Sequence, residues 1–365
     1  MKYKILYIIT GLSYGGAEKQ LITLLNNPIN KYETILISLT DSKMVNQISN
    51  KNIKIINLNI KGFFSLIISF FKIHSFLDKN YKYIVHSWLY HADFFSTILY
   101  LTLNFRMKKK NVLIWNIRCS NMCYTLFNYQ YYLRFILAKL SFLPKFIISN
   151  SIAGKNYHIK IGYKSNKFIV IENGIDTKKF TTNSNIKQHF RNRLSISKDK
   201  KIFLIVARNS KMKNLKNIIY TFQKFQNVCL LIIGSETKIL SNNKNIYGLG
   251  RKNNIQKYYA ISDCLVVLSS FGEGFSNALS EGLLSNLPAI VSDVGDNKRL
   301  INKNCIVTNP NDTQAIFTSI KKMISRLENI DIKEINNSRE MIIENFNIKI
   351  MLNKYFNLYN DLIIH

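Results

Sequence analysis

The stretch Ser269–Asp296, SSFGEGFSNALSEGLLSNLPAIVSDVGD, holds two glutamates, Glu273 and Glu281, eight positions apart in a chain poor in acids. It lies between two apolar runs, Cys264–Leu268 and Leu287–Val291. Short apolar runs of this kind read as buried strands, and a periodic segment between them reads as a helix. Ser276 or Asn277 is the expected N-cap of a helix ending near Ser285. Glu281 then sits a little over one turn into that helix, and Glu273 in the glycine-broken loop before it. Strand, loop, helix and strand in this order make a parallel α/β unit.

The same alternation extends in both directions. Expected strands before it are Lys4–Thr10, Glu33–Leu39, Lys54–Leu58, Ile84–Ser87, Val112–Ile117, Phe146–Asn150 and Phe168–Glu172. After a polar stretch, TTNSNIKQHFRNRLSISKDKK, the pattern restarts with strands at Ile202–Ala207, Cys229–Ile233, Asn245–Tyr247, Cys264–Leu268 and Ala289–Ser292. Helices are expected at Ala17–Asn26 and Phe63–Leu77, among others. Two α/β halves with one polar junction near residue 175 predict two Rossmann-like domains facing a cleft. The expected boundaries are 1–172 and 173–343, with 344–365 as a helix returning to the first domain.

The 365 residues are 47% hydrophobic and 20% charged, a globular composition, with a formal net charge of +30. Such a balance suits anionic partners: nucleic acid, a membrane surface or a phosphorylated substrate. Abundant Lys, Asn, Ile, Tyr and Phe together also fit an A/T-rich genome, so codon bias is a second source of the charge. The five cysteines form no CxxC pair or zinc-ligand spacing and read as buried thiols. The first residues, MKYKILYIITGLSYGG, read as a buried strand running into a glycine turn rather than as a signal peptide. The longest apolar stretch, Phe63–Leu77, is interrupted by Lys72 and His74 and falls short of the ~20 residues a membrane span needs. A cytosolic chain without a transmembrane helix is expected.

In doubly wound sheets, ligands bind beyond the carboxyl ends of the strands, where helix N-termini offer N–H groups to anions. Gly15 and Gly16 in GLSYGGAEKQ follow the first strand, where they either let backbone approach a phosphate or simply permit a tight turn. Carboxylates accept hydrogen bonds from paired hydroxyls, so Glu273 and Glu281 suit a ligand with two polyol groups. The helix N-terminus between them suits the phosphates joining those groups. In VARNSKMKN, Arg208 and Lys213 follow a strand and can neutralise a diphosphate. No DxD triplet is present for Mg²⁺ or Mn²⁺, so no metal and no other cofactor is expected. No GxGxxG follows the first strand.

In combination these motifs resemble the retaining GT-B glycosyltransferases of family 4. E-GFSNALS-E is similar to the family's EX7E motif and ARNSKMKN to its R-x4-K phosphate motif. IENGIDTKKF resembles the segment leading into the second domain, and GGAEKQL the first glycine loop. IIGS…YGLGRKNNIQKYYAISDCLVVLSSFGEGF follows the second-domain pattern. The resemblance implies transfer of a sugar, with retention of configuration, from a nucleotide-sugar, a UDP-sugar first among them. The implied acceptor is a sugar hydroxyl of a lipid-linked or polysaccharide substrate in surface-glycan synthesis. It further implies that Glu281 binds ribose hydroxyls and Glu273 a hydroxyl of the donor sugar. Arg208 and Lys213 would hold the diphosphate, Gly15 and Gly16 would let a loop close over it, and backbone amides of Phe275, Ser276 and Asn277 would donate to sugar or phosphate. VHSWLYHADFF offers His91 as the acceptor-side histidine, whereas His86, inside the apolar run, reads as core. Arg118 in WNIRCS stands where many members carry a histidine, and is a candidate phosphate ligand.

Two other functions compete: a nucleotide-sugar epimerase on the same architecture, and a basic nucleic-acid-binding protein. The first lacks an evident acid/base set, and the second leaves Glu273 and Glu281 without a purpose. Residues 1–170 carry 23 Lys and Arg against 5 Asp and Glu. Three segments there, FFSLIISFFKIHSFLDKNYK, FRMKKK and YYLRFILAKLSFLPK, are basic and amphipathic. They predict peripheral attachment to an anionic membrane on its cytoplasmic face, with Lys108, Lys109 and Lys110 contributing.

Overall fold

The computed structural model describes residues 3–27, 32–107, 110–123, 125, 127–180, 191–192, 196–197, 199–241 and 245–364. It divides into two compact units, Met1–Gly174 with Lys349–His365, and Ile175–Ile348. Lys108 and Lys109 lie outside the described residues.

The first unit is built on seven strands: β1 (Tyr3–Ile9), β2 (Glu33–Ser38), β3 (Lys54–Asn57), β4 (Lys82–Trp88), β5 (Val112–Ile117), β6 (Phe146–Ser149) and β7 (Phe168–Val170), in the order β3-β2-β1-β4-β5-β6-β7. All neighbours are parallel, with Tyr7 opposite His86 and Ile9 opposite Trp88 in the central pair. Period-two alternation sends Tyr83 and Val85 to one face of the sheet and Ile84, His86 and Trp88 to the other. Both faces are buried, which is why these strands read as unbroken apolar runs. The helices are α1 (Gly16–Leu25), α2 (Phe63–Phe76), α3 (Tyr90–Met107), α4 (Tyr129–Leu140) and α5 (Ile152–Lys160). Ile73 and Leu77, Phe95, Leu99 and Leu103, and Leu137 and Ala138 pack with Leu6, Ile8, Val85 and Trp115 into one cluster. Helices α2, α3 and α4 therefore form a single layer on one side of the sheet.

The second unit has six strands: β8 (Lys201–Val206), β9 (Val228–Ile233), β10 (Ile246–Gly250), β11 (Cys264–Val267), β12 (Ala289–Val291) and β13 (Ile306–Val307), ordered β10-β9-β8-β11-β12-β13 and again parallel. Its helices are α6 (Leu215–Phe222), α7 (Ile255–Ile261), α8 (Asn277–Leu284), α9 (Asn297–Leu300), α10 (Thr313–Arg326) and α11 (Ile332–Phe346). Clusters on the two sheet faces hold α7, α8 and α11 on one side and α6 and α10 on the other. The short edge strand β13 has no counterpart in the sequence reading, because two residues make no apolar run.

The segment 344–365 is not one helix. Asn347 leaves helical geometry with ψ of 158° and bridges to Ile175, so α11 ends at Phe346 and α12 (Ile348–Ile364) begins anew. Gln20 exchanges two hydrogen bonds of 3.0 Å with Gly174, while the Ile175 amide donates to Phe346. The passage between units therefore falls at 174/175, two residues later than the 172/173 boundary of the sequence reading. Helix α12 packs onto the first unit through Tyr355 and Tyr359. His86 Nδ1 is 2.7 Å from the Tyr359 hydroxyl, which is 2.9 Å from Tyr7, and Asn116 donates to the Tyr355 hydroxyl at 2.8 Å. Lys354 pairs with Glu172 at 2.9 Å. The cysteines form no disulfide, and the expectation of five buried thiols holds for three: Cys123 is exposed and Cys119 half-buried. Among the described residues no helix is long and apolar enough to cross a membrane.

Two buried histidines of the first unit predict an acid-sensitive fold. Burial lowers His86 to about 3, with the Arg118 charge adding to it, and burial lowers His158 to about 4. Both lie below the ordinary 6.5, so each contribution is complete above pH 6.5 and is lost as pH falls towards the folded values. Thermal melts should show a lower Tm at pH 5 than at pH 7.5, and the difference should shrink in His86→Gln. An unchanged difference would contradict the assignment.

Candidate active site

The loop between β11 and α8 is shaped by backbone rather than by side chains. Gly272 has φ of +79° and Gly295 φ of +68°, a region in which L side chains are strained. A Cβ on Gly295 would lie 2.4 Å from the Gly274 carbonyl oxygen, so the loops after β11 and β12 touch there only because no side chain intervenes. The Asp296 amide donates to Gly274 at 3.0 Å and the Ser292 hydroxyl to the Ser269 carbonyl at 2.8 Å. Ser276 is the N-cap of α8, its hydroxyl accepting from the Leu279 amide at 3.3 Å. Phe275 turns inward instead, its ring 4.9 Å from that of Phe346.

Glu273 is buried in this loop. It accepts from the Ser269 hydroxyl at 2.6 Å and from the Lys213 ammonium. Lys213 ends a helical turn after β8, and Asn214 beyond it has φ of +56°, which redirects the chain into α6. Burial alone would raise the Glu273 pKa. Lys213, through its charge and its hydrogen bond, outweighs burial together with Ser269 and Arg208, and holds the carboxyl below its usual value. Glu273 is thus an ionised buried acid with two cations beside it. The structure brings Glu273, Lys213 and Arg208 together at the carboxyl ends of β8 and β11.

Glu281 is also buried, on the inner face of α8, and accepts from the Tyr259 hydroxyl of α7 at 3.0 Å. Burial, then the Glu281 charge, pushes the Tyr259 phenol well above its ordinary value, so it stays a donor. Neither glutamate is a solvated surface group. The turn after β9 completes this edge: a Cβ on Gly234 would meet the Ala207 carbonyl oxygen at 1.9 Å, and Asn209 donates to Ser235 at 2.9 Å.

In the first unit, Gly15 is the N-cap of α1 with φ of −144°, extended backbone that any residue adopts. A tight turn therefore does not require glycine there. The room its missing Cβ leaves is taken by the Glu18 carboxylate, 2.3 Å from that position. Gly16 is the exposed first residue of α1. His91 lies in the first turn of α3, half-buried, with Nε2 3.0 Å from the Tyr129 hydroxyl, and burial lowers its pKa. Arg118, just past β5, stacks on Trp88 at 4.7 Å and donates to Asn116 at 3.4 Å and to Asn173. Its Nε and the indole Nε1 of Trp88 are buried without a hydrogen-bond partner. Burial weakens the hold on its proton, while Tyr355 and Glu18 oppose that. His86 is fully buried in the tyrosine network of α12.

Several members of these clusters were not singled out by sequence. Ser269 stands four positions before Glu273, but Tyr259 is 22 positions from Glu281 and Asn173 is 55 from Arg118, with no local signal. Among the described residues, no three His, Cys, Asp or Glu side chains gather as metal ligands would.

Two α/β units, each built on a parallel sheet, give the GT-B fold seen in solved glycosyltransferase structures. Residues 186–345 match the family Glycosyl transferases group 1. An Escherichia coli protein, UDP-Gal:alpha-D-GlcNAc-diphosphoundecaprenol alpha-1,3-galactosyltransferase, is 27% identical over 221 residues. The match spans 54% of this chain and 55% of that protein's length. The crystal structure of Anabaena HepE with UDP-glucose superposes with a TM-score of 0.80 at 16% identity, over 98% of this chain and 99% of that one. A Rickettsia africae glycosyltransferase gives 0.80 at 22% identity, with 99% of each chain covered.

The ion pair yields a stability test. Lys213→Met strands a buried carboxylate, which costs about 3–5 kcal/mol, whereas replacing both partners removes that penalty. Urea denaturation should therefore find Lys213→Met less stable than the double variant Lys213→Met/Glu273→Gln. The reverse order would show that the pair is screened by solvent.

Proposed function

We propose that the protein is a glycosyltransferase that moves a hexose from a UDP-sugar to a sugar hydroxyl of a lipid-linked or polysaccharide acceptor, with retention and without a metal. The observation that carries this is Glu273, ionised, buried, and set between Lys213, Arg208 and the N-terminus of α8. In this reading the second unit binds the donor. Glu281 holds the ribose hydroxyls, with Tyr259 fixing its carboxylate, and Glu273 takes a hydroxyl of the sugar. Arg208 and Lys213 neutralise the diphosphate; the Lys213 ammonium has three donors, enough for Glu273 and a phosphate together. Amides of Phe275, Ser276 and Asn277 face the sugar or phosphate at the start of α8.

The chemistry asks mainly for stabilisation of negative charge growing on the leaving diphosphate. The bond from the anomeric carbon to the diphosphate breaks and the bond to the acceptor oxygen forms on the same face. The acceptor's proton passes to the departing diphosphate. Gly15 and Gly16 let the α1 loop approach a phosphate, and the first unit binds the acceptor, with His91 and Arg118 as its polar contacts. The Escherichia coli relative, whose name specifies UDP-Gal and a diphosphoundecaprenol acceptor, supports this substrate class. So does the UDP-glucose bound to HepE. A lipid-linked acceptor places the protein at the cytoplasmic face of a membrane, in synthesis of a surface glycan such as lipopolysaccharide, O-antigen or capsule.

Calorimetry with UDP separates the two glutamates. Glu281→Ala should weaken UDP binding at least tenfold, since a charged hydrogen bond is worth ~1.5–3 kcal/mol. Glu273→Ala should chiefly lower kcat and leave UDP affinity nearly intact, and Arg208→Ala should lower transfer at least tenfold. Identical behaviour of the two glutamate variants would end the assignment.

Transfer should proceed undiminished in EDTA, and NMR of the product should show the donor's anomeric configuration. Activity restored only by Mn²⁺, or an inverted linkage, would refute the mechanism.

A further inference from the structure

Helix α2 has two apolar stripes. One, through Phe70, Ile73 and Leu77, faces the core. The other consists of Phe64, Ile67, Ile68 and Phe71, at spacings of three and four that put them on one line along the helix. This second stripe points outward: Phe64 is 81% exposed, Ile68 68% and Phe71 69%. A second apolar stripe, on the outward side of a helix whose first stripe is already buried, suits an apolar medium outside the protein. Helix α3 lies beside α2, with Thr102 Oγ1 2.8 Å from His74 Nε2 and the Phe70 and Phe95 rings 6.0 Å apart. It continues the surface with Leu101 and with Phe105, which is 89% exposed.

Charge selects what covers this surface. Residues 60–145 contain twelve Lys and Arg but only two acids, Asp78 and Asp93, of which Asp93 is fully buried. Lys61, Lys72, Arg106 and Lys110 are all exposed on or beside α2 and α3. Basic residues around an apolar face match an anionic lipid surface. A second copy of a chain with a net charge of +30 would instead bring like charges together.

We propose that the outer stripe of α2, continued by Leu101 and Phe105 of α3, inserts into the headgroup region of an anionic phospholipid bilayer. At 14 residues α2 is about 21 Å long and lies in the membrane plane rather than across it. Its N-terminus follows β3 at the carboxyl edge of the first sheet, the edge that also carries Gly15, His91 and Arg118. Insertion there holds the acceptor-side residues at the depth where the glycan of a lipid-linked acceptor emerges. The proposal deepens the reading of a membrane-bound acceptor and rests on that reading for its purpose, though not for its geometry.

The test is sedimentation with phosphatidylcholine vesicles, with and without a quarter of phosphatidylglycerol, alongside UDP calorimetry and thermal melting. The wild type should sediment with the anionic vesicles only. The variant Phe64→Ser/Ile68→Ser/Phe71→Ser should lose at least tenfold in vesicle affinity while keeping its UDP affinity and Tm. Trp88 and Trp115 are fully buried, so Phe71→Trp adds an exposed reporter whose emission should shift to the blue and be quenched by brominated lipid. If the triple variant sediments like the wild type, or the reporter does not change, insertion through α2 is overturned while peripheral attachment stands. A wild type that binds neither vesicle overturns both. A dimer by light scattering that the triple variant abolishes overturns insertion in favour of self-association.

Discussion

Every described strand pairing in both sheets is parallel, and much follows from that one constraint. A parallel neighbour can be reached only by a crossover, so each strand's carboxyl end opens into a turn and most of those turns lead to a helix N-terminus. Amide donors and loop side chains are thereby collected along one edge of each sheet. The second unit uses that edge for Arg208, Lys213, Ser269 and Glu273, which come from the loops after β8 and β11, two neighbouring strands. The first unit uses its own for Gly15, His91 and Arg118.

A buried ion pair such as Lys213 with Glu273 is a poor way to stabilise a fold. Removing two charges from water costs about as much as their attraction returns, and apolar residues of similar volume often do better. Its value lies in keeping a carboxylate charged out of water, with an ammonium positioned beside it. The glycines around it serve the same end, since the loops after β11 and β12 approach at Gly295 as no other residue would allow. Local backbone strain and a desolvated charge gathered at one edge make that edge the candidate site.

Much of this was legible in the sequence because both faces of each sheet are buried. A strand such as Ile5–Ile9 has no solvent side to interrupt it, and it stands out as an apolar run. The spacing of Glu273 and Glu281 was legible too, because loop, cap and helix are all local. What was not legible is whatever the fold brings from a distance: Tyr259 behind Glu281, Trp88 and Asn173 around Arg118, and Tyr355 and Tyr359 around His86. The end of α11 was hidden for another reason. The apolar periodicity of IIENFNIKIMLNKYF continues through Asn347, and only the bridge to Ile175 shows that the helix stops. The double amphipathicity of α2 was half visible: the segment reads as apolar, but which residues face the core is a property of the packed layer.

The return of α12 fixes an order of assembly on the growing chain. Residues 175–348 form one uninterrupted unit, able to close as soon as its own last helix is synthesised. The first unit is made earlier in sequence yet lacks Tyr355 and Tyr359 until everything between has emerged from the ribosome. In the interval His86, Asn116 and Tyr7, polar groups of the central strands, face outward without the hydroxyls that later satisfy them. The half of the protein that begins first is therefore the half that finishes last.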